Sequence, residues 1–125
     1  MSEQTRRLLL VEDDAPLREA LGEAIALHGF EVEVTTNATE ACRAVETQRF
    51  DVVLSDVRIP GGGGATVLEC VRRQRPAPPV VFMTGFDEPG GRDRAIGGGA
   101  IAYLLKPIAL PLLIEVLRRA VPDDG

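Results

Sequence analysis

The stretch RLLLVEDDAPLREALGEAIALHGFEVEVTT, residues 7–36, decides the fold. It opens on a short apolar run, RLLLVE (7–12), of the length and make-up of a strand buried on both faces. The period then changes. From about Pro16 to His28, the residues Leu17, Ala20, Leu21, Ala24 and Ile25 fall on one helical stripe. Asp14 stands where it can accept from the helix's orphan amides, and Pro16 suits the first turn. His28, beside Gly29 and Phe30, marks the C-terminal end, where Gly29 stops the helix. EVEVTT (31–36) follows as a second strand. A strand, a covering helix and a second strand in succession make a βαβ unit, which implies a parallel sheet.

Reading outward from this unit, the same alternation recurs until five strand–helix repeats are traced. The further strands are DVVLS (51–55), PVVFMT (79–84) and IAYLL (101–105). Helix two, about 39–47, carries Ala41, Ala44 and Val45; helix three, about 65–74, carries Val67, Leu68 and Val71. Helix four lies within 87–99, a window holding five glycines, so it is expected to be short, frayed or mobile. Helix five begins near Pro111. Its run Leu112, Leu113, Ile114, Val116 and Leu117 wraps more than one face, which predicts a contact surface. Gly61–Gly64, after Pro60, reads as a flexible surface loop; it does not lead into GK[ST], as a phosphate-cradling loop would. The fold class is α/β, a parallel sheet covered on both faces, and 125 residues suffice for one domain over 1–125 with its core at about 7–121.

Composition narrows the function. The chain is 45% hydrophobic, too apolar for intrinsic disorder, yet no apolar run reaches the length of a membrane helix and nothing at the N-terminus reads as a signal peptide. A cytoplasmic protein that does not engage a membrane is expected. The formal charge of -5 argues against nucleic-acid binding. Cys42 and Cys70 form no CxxC pair, and they read as reduced packing residues. With His28 the only histidine, neither a His-rich zinc site nor a Ser-His-Asp triad is readily built. Thirteen of the fourteen basic residues are arginine, leaving Lys106 as the single lysine.

Open parallel sheets bind ligands beyond the C-terminal ends of their strands. Here strand one ends in Glu12, Asp13 and Asp14, strand three in Asp56, strand four in Thr84 and strand five in Lys106. Taken singly these residues are ordinary: Asp14 is a helix cap, Glu12 a solvated acid, Thr84 a strand residue, Lys106 a surface lysine. Four polar strand ends on one sheet edge are not. Carboxylates gathered there need a cation, and an all-oxygen acidic set selects magnesium, with Lys106 adding a positive charge. A metal beside an aspartate, with a lysine and a threonine hydroxyl opposite, suits stabilisation of a transferring phosphoryl group. Asp56 is then the nucleophile, by the aspartyl-phosphate route.

With these motifs in place, the chain resembles a response-regulator receiver domain of two-component signalling over about residues 7–121. LLLVEDD (8–14) resembles the acidic pair of that family, placing Glu12 and Asp13 at metal-binding positions. VVLSDVRIP (52–60) resembles the acceptor segment, with phosphorylation at Asp56 and a metal-binding backbone carbonyl at Arg58. VVFMTG (80–85) resembles the strand that ends in the switch hydroxyl, Thr84. YLLKP (103–107) resembles the last strand, with Lys106 contacting the phosphoryl group and Tyr103 at the switch-aromatic position. The resemblance implies a flavodoxin-like, doubly wound five-stranded sheet in the order 2-1-3-4-5 with five helices. It implies Mg2+ as cofactor and phosphoryl transfer from a sensor histidine kinase or phosphotransfer protein, catalysed in part by the chain itself, as is the later autodephosphorylation. It further implies that phosphorylation draws in Thr84 and Lys106, lets Tyr103 turn inward, and switches the helix four, strand five and helix five face for effector docking or homodimerisation.

The chain departs from the family pattern in places. Gly62–Gly64 replace the usual Met-Asp-Gly, so a looser loop is expected, and Ala109 and Leu110 replace the polar cap before helix five. Arg58 and Phe86 occupy positions that tune dephosphorylation in the family. Two other readings stand beside this one. A phosphorylation-independent docking receiver would retain the fold without the switch. A haloacid-dehalogenase-type phosphohydrolase would need an acid two residues after the nucleophile, where Arg58 stands.

Overall fold

The computed structural model describes residues 5–121. Along them run β1 (Arg6–Val11), α1 (Ala15–Ala26), β2 (Phe30–Thr35), α2 (Ala38–Thr47), β3 (Val52–Asp56), α3 (Gly63–Arg72), β4 (Val80–Thr84), α4 (Gly91–Gly97), β5 (Ala102–Leu105) and α5 (Leu110–Ala120). The five strands form one sheet in the order β2-β1-β3-β4-β5, every neighbouring pair parallel. This is the expected flavodoxin-like order.

The apolar strands are apolar because both faces are covered. In β1, Leu8 and Leu10 pack with Ile25, Leu113 and Leu117 beneath α1 and α5. Leu9 and Val11 point the other way, into Ala41, Val67 and Tyr103 beneath α2, α3 and α4. Asp14 caps α1, accepting from the Leu17 amide at 3.5 Å, and Asn37 caps α2, accepting from Glu40 at 2.8 Å. Helix α5 starts after Ala109 with no side-chain cap, as the sequence suggested. Helix α4 is short, seven residues with a glycine at each end.

Three expectations are corrected. Cys42 and Cys70 are joined in a disulfide with their Cα atoms 5.6 Å apart, rather than remaining reduced. The order β1-β3-β4 sets α2 and α3 side by side on one face, so residues 28 apart in the chain face each other; nothing in their spacing announced it. The apolar surplus of α5 belongs mostly to the core: Leu113, Ile114 and Leu117 are buried and only Leu112, 49% exposed, stands well out of it. The glycine run is not simply a loose loop. Gly63 and Gly64 enter the first turn of α3, their amides donating to Ile59 O at 3.1 Å and Val57 O at 2.8 Å, while Pro60 O accepts the Ala38 amide at 2.8 Å. The φ angles of +90°, +114° and +77° at Gly61, Gly62 and Gly63 explain why glycine is needed there. Among the described residues no helix is long and apolar enough to cross a membrane.

Candidate phosphoryl and metal site

The sheet's hydrogen-bond ladder runs on past the strand tips and holds the rim in place. Glu12 N donates to Thr35 O at 3.1 Å, Val57 N to Met83 O at 2.9 Å, and Lys106 N to Thr84 O at 2.8 Å. Residues far apart in sequence are thereby brought to one edge. Glu12, Asp13 and Asp56 each offer a carboxylate oxygen, and these atoms lie within 4.8 Å of one another. Glu12 is 1% exposed and Asp56 6%, whereas Asp13 opens to solvent. The Lys106 Nζ donates to Glu12 Oε1 at 2.7 Å and to Asp56 Oδ2 at 2.5 Å. The second oxygens of Glu12 and Asp56 also have partners: Asp56 Oδ1 accepts the Arg58 amide at 2.9 Å, and Glu12 Oε2 the Asp14 amide at 3.1 Å.

The electrostatics follow from burial and crowding. Burial pushes the Glu12 carboxyl above the usual glutamate range; the bonds from Lys106 and the Asp14 amide pull it back, and the Asp56 charge adds to the rise. Burial alone would lower the Lys106 ammonium. The hydrogen bonds to Asp56 and Glu12, with both their charges, outweigh it and raise the pKa above the ordinary lysine value. Lys106 is therefore held charged between two acids. Three carboxylates with one ammonium leave a net negative cluster of hard oxygen donors, and the exposed Asp13 gives it an open side. That donor set fits magnesium, which keeps several waters and takes one or two carboxylates.

The other expected residues are placed nearby but not all in contact. Thr84 is buried at the tip of β4, and its hydroxyl is turned onto its own loop, accepting from Phe86 N at 3.1 Å and donating to Phe86 O at 3.2 Å. Arg58 meets the site through its backbone amide. Its guanidinium lies 4.0 Å over the Phe86 ring and bonds Glu88 at 2.9 Å. Tyr103 is already inside, 4% exposed, rather than awaiting space to turn inward. The first turn of α4 holds it: Arg92 Nη2 donates to Tyr103 O at 3.0 Å, and a Cβ on Gly91 would come within 2.6 Å of the Tyr103 hydroxyl oxygen. Glu88, Gly91 and Arg92 were not singled out in the sequence. Gly91 stood in the glycine-rich window, but only the packing shows that its missing side chain makes room for Tyr103.

Comparison with known proteins identifies the family and the fold. A family model described as the response regulator receiver domain matches residues 8–118. The chain is 37% identical over 116 residues to the response regulator protein FleR of Pseudomonas aeruginosa, covering 90% of this chain and 24% of that one. It is 34% identical over 123 residues to the response regulator MprA of Mycolicibacterium vanbaalenii, covering 95% and 53%. The chain thus spans about a quarter to half the length of these curated relatives. Among solved structures, a CheY-like receiver domain protein from Methanospirillum hungatei superposes with a TM-score of 0.89 at 26% identity over 94% of both chains. The chemotaxis response regulator CheY4 of Vibrio cholerae gives 0.85 at 28% identity, over 94% of this chain and 99% of that one.

Proposed function

Because the chain belongs to the response regulator receiver domain family of two-component signalling, we propose that Asp56 accepts a phosphoryl group from a phosphohistidine on a sensor kinase or phosphotransfer protein. The observation that carries this reading is the Lys106 ammonium bridging Glu12 and Asp56 across 94 and 50 residues of chain. An ammonium so placed can follow charge from the carboxylate to an incoming phosphoryl oxygen.

Glu12, Asp13 and Asp56, with the main-chain carbonyl of Arg58, would hold Mg2+. When bound, the ion neutralises charge on the transferring group. The Asp56 carboxylate attacks phosphorus, an oxygen–phosphorus bond forms, and the phosphorus–nitrogen bond to the donor imidazole breaks. Lys106 keeps its pair with Glu12 while turning from the carboxylate to the phosphoryl oxygens. Thr84 gives up its bonds to the Phe86 backbone and donates its hydroxyl to the same group. That exchange pulls the β4–α4 loop, whose next turn holds Tyr103, and so biases the α4–β5–α5 face on which a partner or second copy docks. Water attack on the acyl phosphate later resets the site. A hydrolase of the haloacid-dehalogenase type is disfavoured, since Arg58 stands where its acid belongs and its side chain is engaged with Phe86 and Glu88.

Mass spectrometry after incubation with a small acyl phosphate tests the reading. A single phosphoryl adduct is expected with magnesium, weaker without it, and absent in Asp56→Asn. An adduct that survives the substitution would move the acceptor elsewhere.

A further inference from the structure

The chain's only two cysteines close a ring around the acceptor segment. The ring runs from Cys42 on α2 to Cys70 on α3 and contains all of β3, Asp56, Arg58 and the glycine run. Both flanking helices also grip the loop within it. The Cys42 Sγ lies 3.8 Å from Thr66 O, and the Thr66 hydroxyl donates to Gly62 O at 3.0 Å. From the other side, the first amide of α2, at Ala38, donates to Pro60 O at 2.8 Å. A run of glycines has little stiffness of its own, so its attachments decide how far it moves. The bridge fixes those attachments relative to one another.

We propose that Cys42–Cys70 is a reversible thiol–disulfide site, which exchanges with small disulfides and thiols of the glutathione class and sets the mobility of the β3–α3 loop. Its second consequence, a change in how long the phosphoryl group survives on Asp56, rests on the proposed function; the first does not. Cys42 is partly exposed and Cys70 is 7% exposed, so an external sulfur meets Cys42 first. In oxidation the Cys42 thiolate attacks one sulfur of the small disulfide and expels a thiolate. The Cys70 thiolate then attacks the Cys42 sulfur and expels the second. Two electrons pass from the cysteine pair to the small disulfide, and the two protons from the cysteines end on its two thiols. Reduction runs the same steps backwards.

The full chain is equilibrated in reduced/oxidised glutathione mixtures, free thiols are counted by alkylation and mass spectrometry, and amide exchange is followed at both extremes. Both thiols should titrate together. Exchange across 57–66 should rise on the order of tenfold on reduction while that of α1 stays unchanged, as expected for a local rather than global opening. The double variant Cys42→Ser/Cys70→Ser should exchange at the fast rate in every mixture. Thiols that remain free in the most oxidising mixture, or loop exchange that is equal in the two forms, would overturn the site. Adduct lifetimes measured on the two forms then separate the second consequence: equal lifetimes remove it, and no adduct in either form sinks the acceptor reading while the exchange result stands.

Discussion

Replacing Lys106 by methionine keeps most of the unbranched side chain and removes its charged end. In the parent, the ammonium bonds two carboxylates at 2.7 and 2.5 Å, one belonging to a residue 1% exposed and the other to a residue 6% exposed. Without it, acids whose oxygens lie within 4.8 Å face each other unscreened. At an effective dielectric of 20 that repulsion is about 3.5 kcal/mol, and breaking a buried ion pair from one side costs about 3–5 kcal/mol in general. The Lys106 side chain is 20% exposed, so water offsets part of this, and a net loss of about 2–4 kcal/mol is expected without magnesium. With a urea slope of about 1.5 kcal/mol per molar, the unfolding midpoint should fall by about 2 M. Millimolar magnesium should restore the variant more than it stabilises the parent, because the ion supplies charge that the parent already has in part. A loss below about 0.5 kcal/mol, the range of ordinary surface substitutions, or an equal magnesium effect in both proteins, would refute the reasoning.

Other outcomes follow from the same structure. Gly91→Ala should push the Tyr103 ring from its place beside α4, since the new Cβ would come within 2.6 Å of its hydroxyl; with one tyrosine and no tryptophan in the chain, acrylamide quenching of intrinsic fluorescence reads this directly. Gly97→Ala, where a Cβ meets nothing within 4 Å, is the control and should leave quenching unchanged. Asn37→Ala should cost about 1 kcal/mol in urea unfolding through loss of the α2 cap. The Glu40 carboxyl is held below the usual glutamate value, chiefly by the Thr36 amide and then the Thr36 hydroxyl. Its contribution is therefore fully present above the unfolded pKa and fades only as pH falls through the lower folded value; NMR titration of Glu40 should show that low midpoint in the parent.

The sheet was legible because its faces are both covered: Leu8–Val11 had to be continuous and apolar, and a continuous apolar run followed by the Leu17–Ile25 stripe can hardly mean anything but strand then covering helix. The rim was legible for a related reason, since parallel strands put every C-terminal end on one edge. What sequence could not supply were lateral contacts. Cys42 meeting Cys70 depends on which helices share a face, and strand order decides that. The α5 run looked like surplus because a helix wheel does not show how widely β4, β5 and α1 surround Leu113, Ile114 and Leu117. Glu12 read as a solvated acid when taken alone; in the fold it is buried and paired with Lys106, which arrives from the far end of the chain.

Manganese, a paramagnetic stand-in for magnesium, gives the most direct view of the rim. Added at substoichiometric levels to isotopically labelled protein, it should broaden the amide signals of residues 12–14 and 56–58 first, then those near Thr84 and Lys106, and Asp13→Asn should weaken the effect. Broadening centred anywhere else, or none at these residues, would contradict the claim that these separate strand ends form one metal-binding phosphoryl site.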